Sequence, residues 1–135
     1  MKRTRLSLAL LLALAAAACT GGDDGGTTPP PPEPGVLTVS LTTPNGDDRA
    51  LVVELTGPSI SEVASANAAY VVHARPAGTG GVRAAVFGSL GSGALLRFQV
   101  PDVNNAAAYK ATVVEVADAG NALRQTTGYT AAVAR

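Results

Sequence analysis

The residue of this sequence best suited to covalent chemistry is its single cysteine, Cys19. A cysteine thiolate is a strong nucleophile, so this residue type can accept a covalent group. Because Cys19 is the only cysteine, no disulfide can form within the chain, and a free thiol in an exported protein would need a separate explanation. We therefore predict that Cys19 carries a covalent modification.

The other residue types that commonly perform chemistry lack partners at the necessary spacing. His73 is the only histidine and lies in a predicted strand, where the solvent face is a better prediction than a metal site. Gly91-Ser92-Gly93 lacks the first glycine of a G-x-S-x-G nucleophile elbow, because position 90 is Leu90, and is predicted to be a hairpin connection. The glycine-rich stretches 78–81 and 88–93 match no nucleotide-binding pattern. The sequence thus predicts a protein that is not an enzyme, with no metal and no cofactor.

Carboxylates on predicted loops leave two alternatives open. Two groups offer hard oxygen ligands for calcium: Asp47 with Asp48, and Asp102 with Asn104 and Asn105. The EF-hand spacing is absent, however, and turn chemistry explains these residues equally well. An enzyme with an unusual site could instead be built from Asp47, Asp102 and Asp118. That alternative requires the three carboxylates to share one cleft.

The N-terminus has the organisation of a secretory signal. Met1–Arg5 is cationic, and the thirteen residues Leu6–Ala18 that follow have Ser7 as their only polar residue. As a helix this stretch would be roughly 20 Å long, whereas a membrane span needs about 20 apolar residues. We therefore predict a cleaved signal peptide over residues 1–18 rather than a retained membrane helix.

The signal ends in Ala16-Ala17-Ala18-Cys19, which resembles the lipobox of bacterial lipoproteins, although the leucine usual at the first of these positions is Ala16 here. The resemblance implies cleavage before Cys19, lipidation of its sulfur, and acylation of the new N-terminus by a fatty acid such as palmitate. Two or more acyl chains anchor a protein stably. The implied location is the cell envelope, with the domain facing the periplasm or the exterior. In a cell that has an outer membrane, that membrane is favoured because Thr20 rather than aspartate follows. The alternative is an ordinary A-x-A cleavage site that releases a soluble protein.

A tether and a single domain are predicted after the signal. Residues 20–35 have no aliphatic or aromatic side chain, so residues 19–35 form the lipidated cysteine and a disordered Gly/Asp/Thr/Pro-rich tether. Within it, residues 29–34 are expected to form a polyproline spacer of roughly 20 Å, and a proline-rich ligand for an aromatic groove is the alternative. Residues 36–135 are the predicted domain.

Alternation of apolar and polar residues with a period of two dominates residues 36–135, as in Leu37, Val39 and Leu41. Pro44–Asp47 is predicted to form a tight hairpin turn. Ser59–Ala69 is open between a strand, which we favour, and a short capped helix. The predicted class is all-β, a single antiparallel β-sandwich of seven to nine strands. Strands are predicted at Leu37–Leu41, Leu51–Leu55, Tyr70–Ala74, Val82–Phe87, Leu95–Val100, Tyr109–Ala117 and Tyr129–Val133.

The expected core consists of aliphatic residues on one face of these strands, together with Phe98. Of the other aromatic residues, Phe87, Tyr109 and Tyr129 are open between packing at the core or its rim, which we favour, and a binding face. The predicted core residues are Leu37, Val39, Leu51, Val53, Leu55, Val72, Val82, Val86, Leu96, Phe98, Val100, Val114 and Val116.

The charged residues are balanced and dispersed. Ten Lys and Arg residues match ten Asp and Glu residues, and they are spread along the chain. No basic footprint for nucleic acid is present, so a nucleic-acid partner is not predicted.

Three segments of the domain resemble the middle of cohesin-type, immunoglobulin-like β-sandwiches. They are Ile60–Val63, Val82–Val86 and Gly93–Val100. In cohesin-type sandwiches a G-x-L-x-x-F-x-V strand follows a V-x-V-A strand. The resemblance implies a β-sandwich fold, and dockerin binding does not follow from it. We predict a membrane-anchored envelope lipoprotein with a small non-enzymatic binding or structural module, whose partner besides lipid is an envelope protein or glycan.

Overall fold

The computed structural model describes residues 28–135. The predicted signal peptide, Cys19 and the first part of the tether lie outside these described residues. Between residues 28 and 135, no helix is both long enough and apolar enough to cross a membrane.

The chain folds into two antiparallel sheets that pack face to face, which confirms the predicted all-β sandwich. One sheet has four strands in the order β3-β6-β1-β9, and the other has five in the order β4-β5-β2-β7-β8. A 3-10 helix, Val103–Ala108, lies between β6 and β7. The strands are β1 (Gly35–Thr42), β2 (Asp48–Thr56), β3 (Ser61–Ser65), β4 (Val71–Ala77), β5 (Gly81–Leu90), β6 (Gly93–Val100), β7 (Lys110–Asp118), β8 (Leu123–Arg124) and β9 (Thr130–Ala134).

The core lies between the sheets and is formed by the inward faces of the central strands. Most predicted core residues are buried, while Val72 and Val82 are half-buried and pack against the core. Several further residues that were not among the predicted core residues are also buried. These additional buried residues are Leu41, Ala84, Leu90, Leu95, Val103, Tyr109 and Tyr129.

Val114 was wrongly predicted to be a core residue, since 37% of it is exposed. The pairing of β2 with β7 shifts register here, with Val52 opposite Glu115 and Val53 opposite Val113. Val114 is thus the extra residue of a β-bulge, which reverses the alternation along β7. Val113, not Val114, packs against the core.

The ambiguous segment Ser59–Ala69 contains a strand, as favoured, because β3 covers Ser61–Ser65 and pairs with β6. A turn follows, in which Tyr70 N–H donates to the Asn67 carbonyl at 3.0 Å. Before β3 the chain bends at Gly57, whose φ is +151°. A Cβ at this glycine would lie 2.4 Å from Tyr109 Cδ1, so a side chain here would collide with the core edge.

Two predicted hairpins are instead crossings between the sheets. The segment after β1 leads into β2 of the opposite sheet, and Gly91-Ser92 joins β5 to β6 of the opposite sheet. The two crossings lie side by side, since Thr43 N–H donates to Ser92 Oγ at 3.0 Å. Turn residues mark where a strand ends, but they do not specify which sheet receives the next one.

The strands define two ends of the sandwich, which we call the tether end and the far end. β1 runs from Gly35 at the tether end to Thr42 at the far end. β9 runs in the opposite direction, from Thr130 at the far end to Ala134 towards the tether end. β2 starts at the far end with Asp48. Consequently the two termini of the described chain lie at the same end.

Glu33, in the last part of the predicted tether, is bonded to the domain at the tether end. Its backbone N–H donates to Asp102 Oδ1 at 3.1 Å, and its carbonyl accepts from Val103 N–H at 2.8 Å. Its carboxylate pairs with Arg135 at 2.8 Å. The folded part of the chain therefore begins slightly before Val36, the first residue of the predicted domain.

Candidate functional site

The three aromatic residues left open by the sequence do not form a joint surface. Tyr109 and Tyr129 are buried, with 5% and 8% exposed, whereas Phe87 is 44% exposed. The Tyr109 hydroxyl donates to the Pro58 carbonyl at 2.8 Å, and its ring packs 5.7 Å from that of Phe98. Burial raises the pKa of the Tyr109 phenol, and the negative charge of Asp102 raises it further. Phe87 is thus the member of the three that can contact a partner.

His73 lies on the outer face of the five-stranded sheet and is exposed, as predicted. Its ring meets that of Phe87 edge to face, with 6.2 Å between the ring centres. Among residues 28–135, no group of three or more His, Cys, Asp or Glu side chains is arranged to hold a metal ion.

The loop carboxylates separate into two groups at opposite ends of the sandwich. Asp102 lies at the tether end, where its side chain accepts from Glu33 N–H and caps the 3-10 helix through Asn104 N–H at 3.0 Å. Asp47 and Asp118 lie at the far end, both beside Arg124. The length of β1, eight residues or about 26 Å, separates the ends. The structure therefore does not bring Asp47, Asp102 and Asp118 into one cleft.

Asp48 is a completely buried carboxylate at the far end. The Tyr129 hydroxyl lies 3.0 Å from each of its oxygens and donates to this carboxylate. Thr43 Oγ1 donates to Asp48 Oδ2 at 2.7 Å, and Asn45 Nδ2 donates to the Tyr129 hydroxyl oxygen at 2.7 Å. This network ties the β1–β2 crossing to the start of β9.

Arg124 on β8 extends the network to the surface. Its Nη2 lies 2.6 Å from Asp47 Oδ2 and 3.6 Å from Asp118 Oδ2, and its Nε lies 3.5 Å from Asp48 Oδ1. Since each far-end carboxylate is engaged by the protein's own donors, we assign this far-end cluster (Thr43, Asn45, Asp47, Asp48, Asp118, Arg124 and Tyr129) to holding loops and β8 in place. The sequence analysis did not predict that Asp48 is buried. Asp47 and Asp48 both follow Asn45-Gly46, and aspartates in such a segment are also typical of an exposed turn.

The far-end cluster makes stability depend on pH through Asp118. The backbone N–H groups of Ala122 and Gly120 donate to this carboxylate, at 3.0 and 2.8 Å, and with Arg124 they lower its pKa. A pKa lower in the folded than in the unfolded chain stabilises the fold above the unfolded value, about 3.9, and this contribution is lost as the pH falls through the folded value.

We therefore expect Asp118→Asn to lower the melting temperature at neutral pH, with a difference from the wild type that shrinks below about pH 4. Thermal unfolding of both proteins over a series of pH values measures this difference. A difference that stayed constant from neutral to acid pH would assign the effect to side-chain geometry rather than to charge.

The outer face of the five-stranded sheet is the most extensive candidate for binding, and its residues form three rows across the strands. The row closest to the far end, the far row, is apolar. Three of its members are large and exposed: Val71 by 56%, Phe87 by 44% and Leu123 by 75%. Aligned by cross-strand pairing, the far row consists of Val71, Phe87, Ala50, Ala117 and Leu123.

The next two rows are increasingly charged. The middle row has small residues at its centre and ionisable ones at its ends, and the near row faces the tether end. By the same pairing the middle row consists of His73, Ala85, Val52 and Glu115, and the near row of Arg75, Arg83, Glu54 and Thr112.

A shallow groove of about 320 Å³ runs between the middle and near rows. The residues that line it include Val52 and Ala85 on the central strands and His73, Arg75 and Glu115 on the strands beside them. The sequence carries a signal for this face that the strand assignment did not use: outward positions such as Ala50, Val52 and Ala85 hold small apolar residues where a solvent-facing strand usually holds polar ones.

The ion pairs of this face are unevenly distributed. Arg83 Nη2 pairs with Glu54 Oε2 at 2.5 Å. Arg75 and Glu115 have no ion-pair partner within residues 28–135. In the described part of the chain, an unpaired positive side chain, Arg75, thus lies on β4, and an unpaired negative side chain, Glu115, lies on β7.

The fold places this chain in the class of all-β sandwich proteins. Comparison with protein-family models, with curated proteins and with solved structures finds no match.

Proposed function

We propose that this protein is a membrane-anchored envelope lipoprotein whose β-sandwich is a non-enzymatic binding or structural module. The observation that carries the proposal is the solitary Cys19 directly after a short apolar segment and three alanines. A diacylated or triacylated cysteine would hold the chain durably at a membrane.

The attachment of Glu33 to the tether end supports a defined orientation. Cys19 and Glu33 are 14 residues apart, a distance of at most about 50 Å for an extended chain. Because the chain joins the sandwich at its tether end, that end faces the membrane and the far end points away from it. Both outer sheet faces then stand roughly perpendicular to the membrane.

Lipidation is tested by comparing the wild type with Cys19→Ala, and Thr20→Ala serves as a control that leaves the cysteine in place. We expect the wild type and Thr20→Ala to partition into membranes and to carry acyl mass on Cys19, and we expect Cys19→Ala to lose both properties. Mass spectrometry of the N-terminal peptide and membrane fractionation measure this result.

The same experiment distinguishes the alternative of a secreted soluble protein. An N-terminal peptide that begins at Cys19 with an unmodified thiol, together with equal partition of all three proteins, would contradict the proposal and support ordinary signal cleavage.

A further inference from the structure

The charges on the outer face of the five-stranded sheet are arranged with opposite signs on opposite sides of its centre line. This line runs between β5 and β2, the adjacent strands that pair Ala85 with Val52. On one side lie the basic groups of β4 and β5, including Arg75 and Arg83, and on the other lie Glu54 and Glu115. Such an arrangement is complementary to itself after a half-turn about the centre line.

We infer that this face binds a second copy of the same chain, related by a twofold axis parallel to the strands. The half-turn exchanges β4 with β7 and β5 with β2 while keeping each row at its own height. An isologous contact of this kind requires a self-complementary surface. Small side chains at the centre, Ala85 and Val52, let the two sheets approach closely.

The pairings across this interface follow from the rows. In the middle row, His73 faces Glu115 of the second copy, and Arg75 of the adjacent row reaches the same carboxylate, since long side chains span diagonal neighbours. In the near row, Arg83 faces Glu54 of the second copy. Arg83 and Glu54, which form an ion pair within each chain, would therefore also pair between the two chains. The unpaired Arg75 and Glu115 thereby find partners.

The apolar far row contributes the contact that excludes water. Phe87 of one copy faces Ala50 of the other, a large residue opposite a small one. Val71 faces Ala117 in the same way. The exposed apolar side chains Val71 and Phe87 are thus covered by positions that have room for them.

The direction of the axis has two independent supports. A twofold axis perpendicular to the strands but still in the interface would reverse the order of the rows, so that the charged near row of one copy would face the apolar far row of the other. It would also place the two tether ends on opposite sides of the dimer. The axis parallel to the strands keeps both tether ends on one side, as two copies in one membrane require, and this second support rests on the proposed function.

The size of the face indicates a weak dimer that membrane attachment would strengthen. Strand spacing of about 4.8 Å and three rows give a contact of roughly 20 Å by 20–25 Å, so two copies bury roughly 1,000 Å² in total. This area is at the lower limit for specific interfaces. Confinement of both copies to one membrane raises their effective concentration without any further contact.

Cross-linking of the full-length protein in its membrane tests the interface. Ala85→Cys places a thiol beside the axis, and Thr38→Cys is a matched control that is half-buried at the centre of the other outer face. Facing sheets lie about 10 Å apart, so a short bis-maleimide suits the expected separation. We expect dimer from Ala85→Cys to exceed that from Thr38→Cys by at least about tenfold, while equal yields would overturn the inference.

Exchange of charges gives a test that does not depend on a single variant. In the Ala85→Cys background, Arg75→Glu alone and Glu115→Arg alone each place like charges together twice, and we expect cross-linking to fall by about tenfold. Coexpression of the two variants creates one inverted pair and retains one original pair, so cross-linking should return. Loss without recovery in the mixture overturns the inference.

The outcomes also separate this inference from the proposed function. Acyl mass on Cys19 without Ala85 cross-linking would leave the lipoprotein proposal intact and end the dimer proposal. Cross-linking at Ala85 with an unmodified Cys19 would do the opposite, and only the membrane argument for the axis would then be lost. A cross-linked product with the mass of another protein would contradict a second copy and identify a different occupant.

Discussion

Replacing Asp48 by alanine should lower the free energy of unfolding by about 3 kcal/mol, because it leaves buried donors without an acceptor. The donors are the hydroxyls of Tyr129 and Thr43, which lie 3.0 and 2.7 Å from the Asp48 carboxylate. Arg124 would lose one of its negative partners as well. Urea denaturation of the Cys19→Ala protein, which avoids any acyl chain, measures the change.

Asp47→Ala is the matched control, since Asp47 is adjacent and carries the same group but its side chain is 59% exposed. We expect it to cost less than about 1 kcal/mol, as exposed ion pairs contribute little. Tyr129→Phe should lie between the two, with a loss of about 1–2 kcal/mol for one hydroxyl. Equal effects of Asp48→Ala and Asp47→Ala would show that the buried network does not stabilise the fold.

Replacing Phe98 by alanine should lower the free energy of unfolding by about 4 kcal/mol. Phe98 is 1% exposed and packs against Tyr109 between the two sheets, so truncation opens a cavity that the strands cannot close without losing their pairing. Since small domains are stable by only about 5–15 kcal/mol, much of the fold's stability would be lost. The midpoint of urea unfolding should fall while its slope stays unchanged.

Phe87→Ala is the control for this experiment, because it removes the same ring from the outer face, where Phe87 is 44% exposed. We expect a loss of about 1 kcal/mol or less. A similar cost at both positions would contradict the assignment of Phe98 to the core and Phe87 to the surface.

The far-end cluster and the outer face of the five-stranded sheet are linked through β8, which contributes a residue to each. Arg124 is held by the carboxylates of Asp47, Asp48 and Asp118, and the same short strand, β8, carries Leu123 at the end of the far row. Loss of the cluster would therefore release an exposed apolar residue from the rim of the proposed interface. Asp48→Ala is thus expected to weaken the Ala85 cross-link as well as the fold.

The main features of the fold followed from local patterns. Leu37, Val39 and Leu41 alternate with polar residues because successive side chains of a strand point to opposite faces, and all three are buried. The same period placed Phe98 with Leu96 and Val100 in the core. Short alternating segments separated by turn residues were sufficient to predict a sandwich.

Local patterns failed where the partner strand determines the geometry. The bulge at Val114 depends on how β7 pairs with β2, which no property of residues 110–118 reveals. The crossings after Thr42 and at Gly91-Ser92 depend on which sheet each strand joins. Both are non-local choices, because they are set by contacts between segments distant in the chain.

The candidate functional residues also divide into those that the sequence could identify and those that only the tertiary structure brings together. The sequence alone predicted a covalent group on Cys19, since a solitary residue type and its neighbours can be read without a fold. The burial of Asp48 and the distribution of charge over the outer face could not be read in this way. Tyr129 is 81 residues from Asp48, and Glu115 and Arg75 share a groove although 40 residues separate them. Only the packing and register of the sheets bring these side chains together, because a sheet joins segments that are remote in the chain.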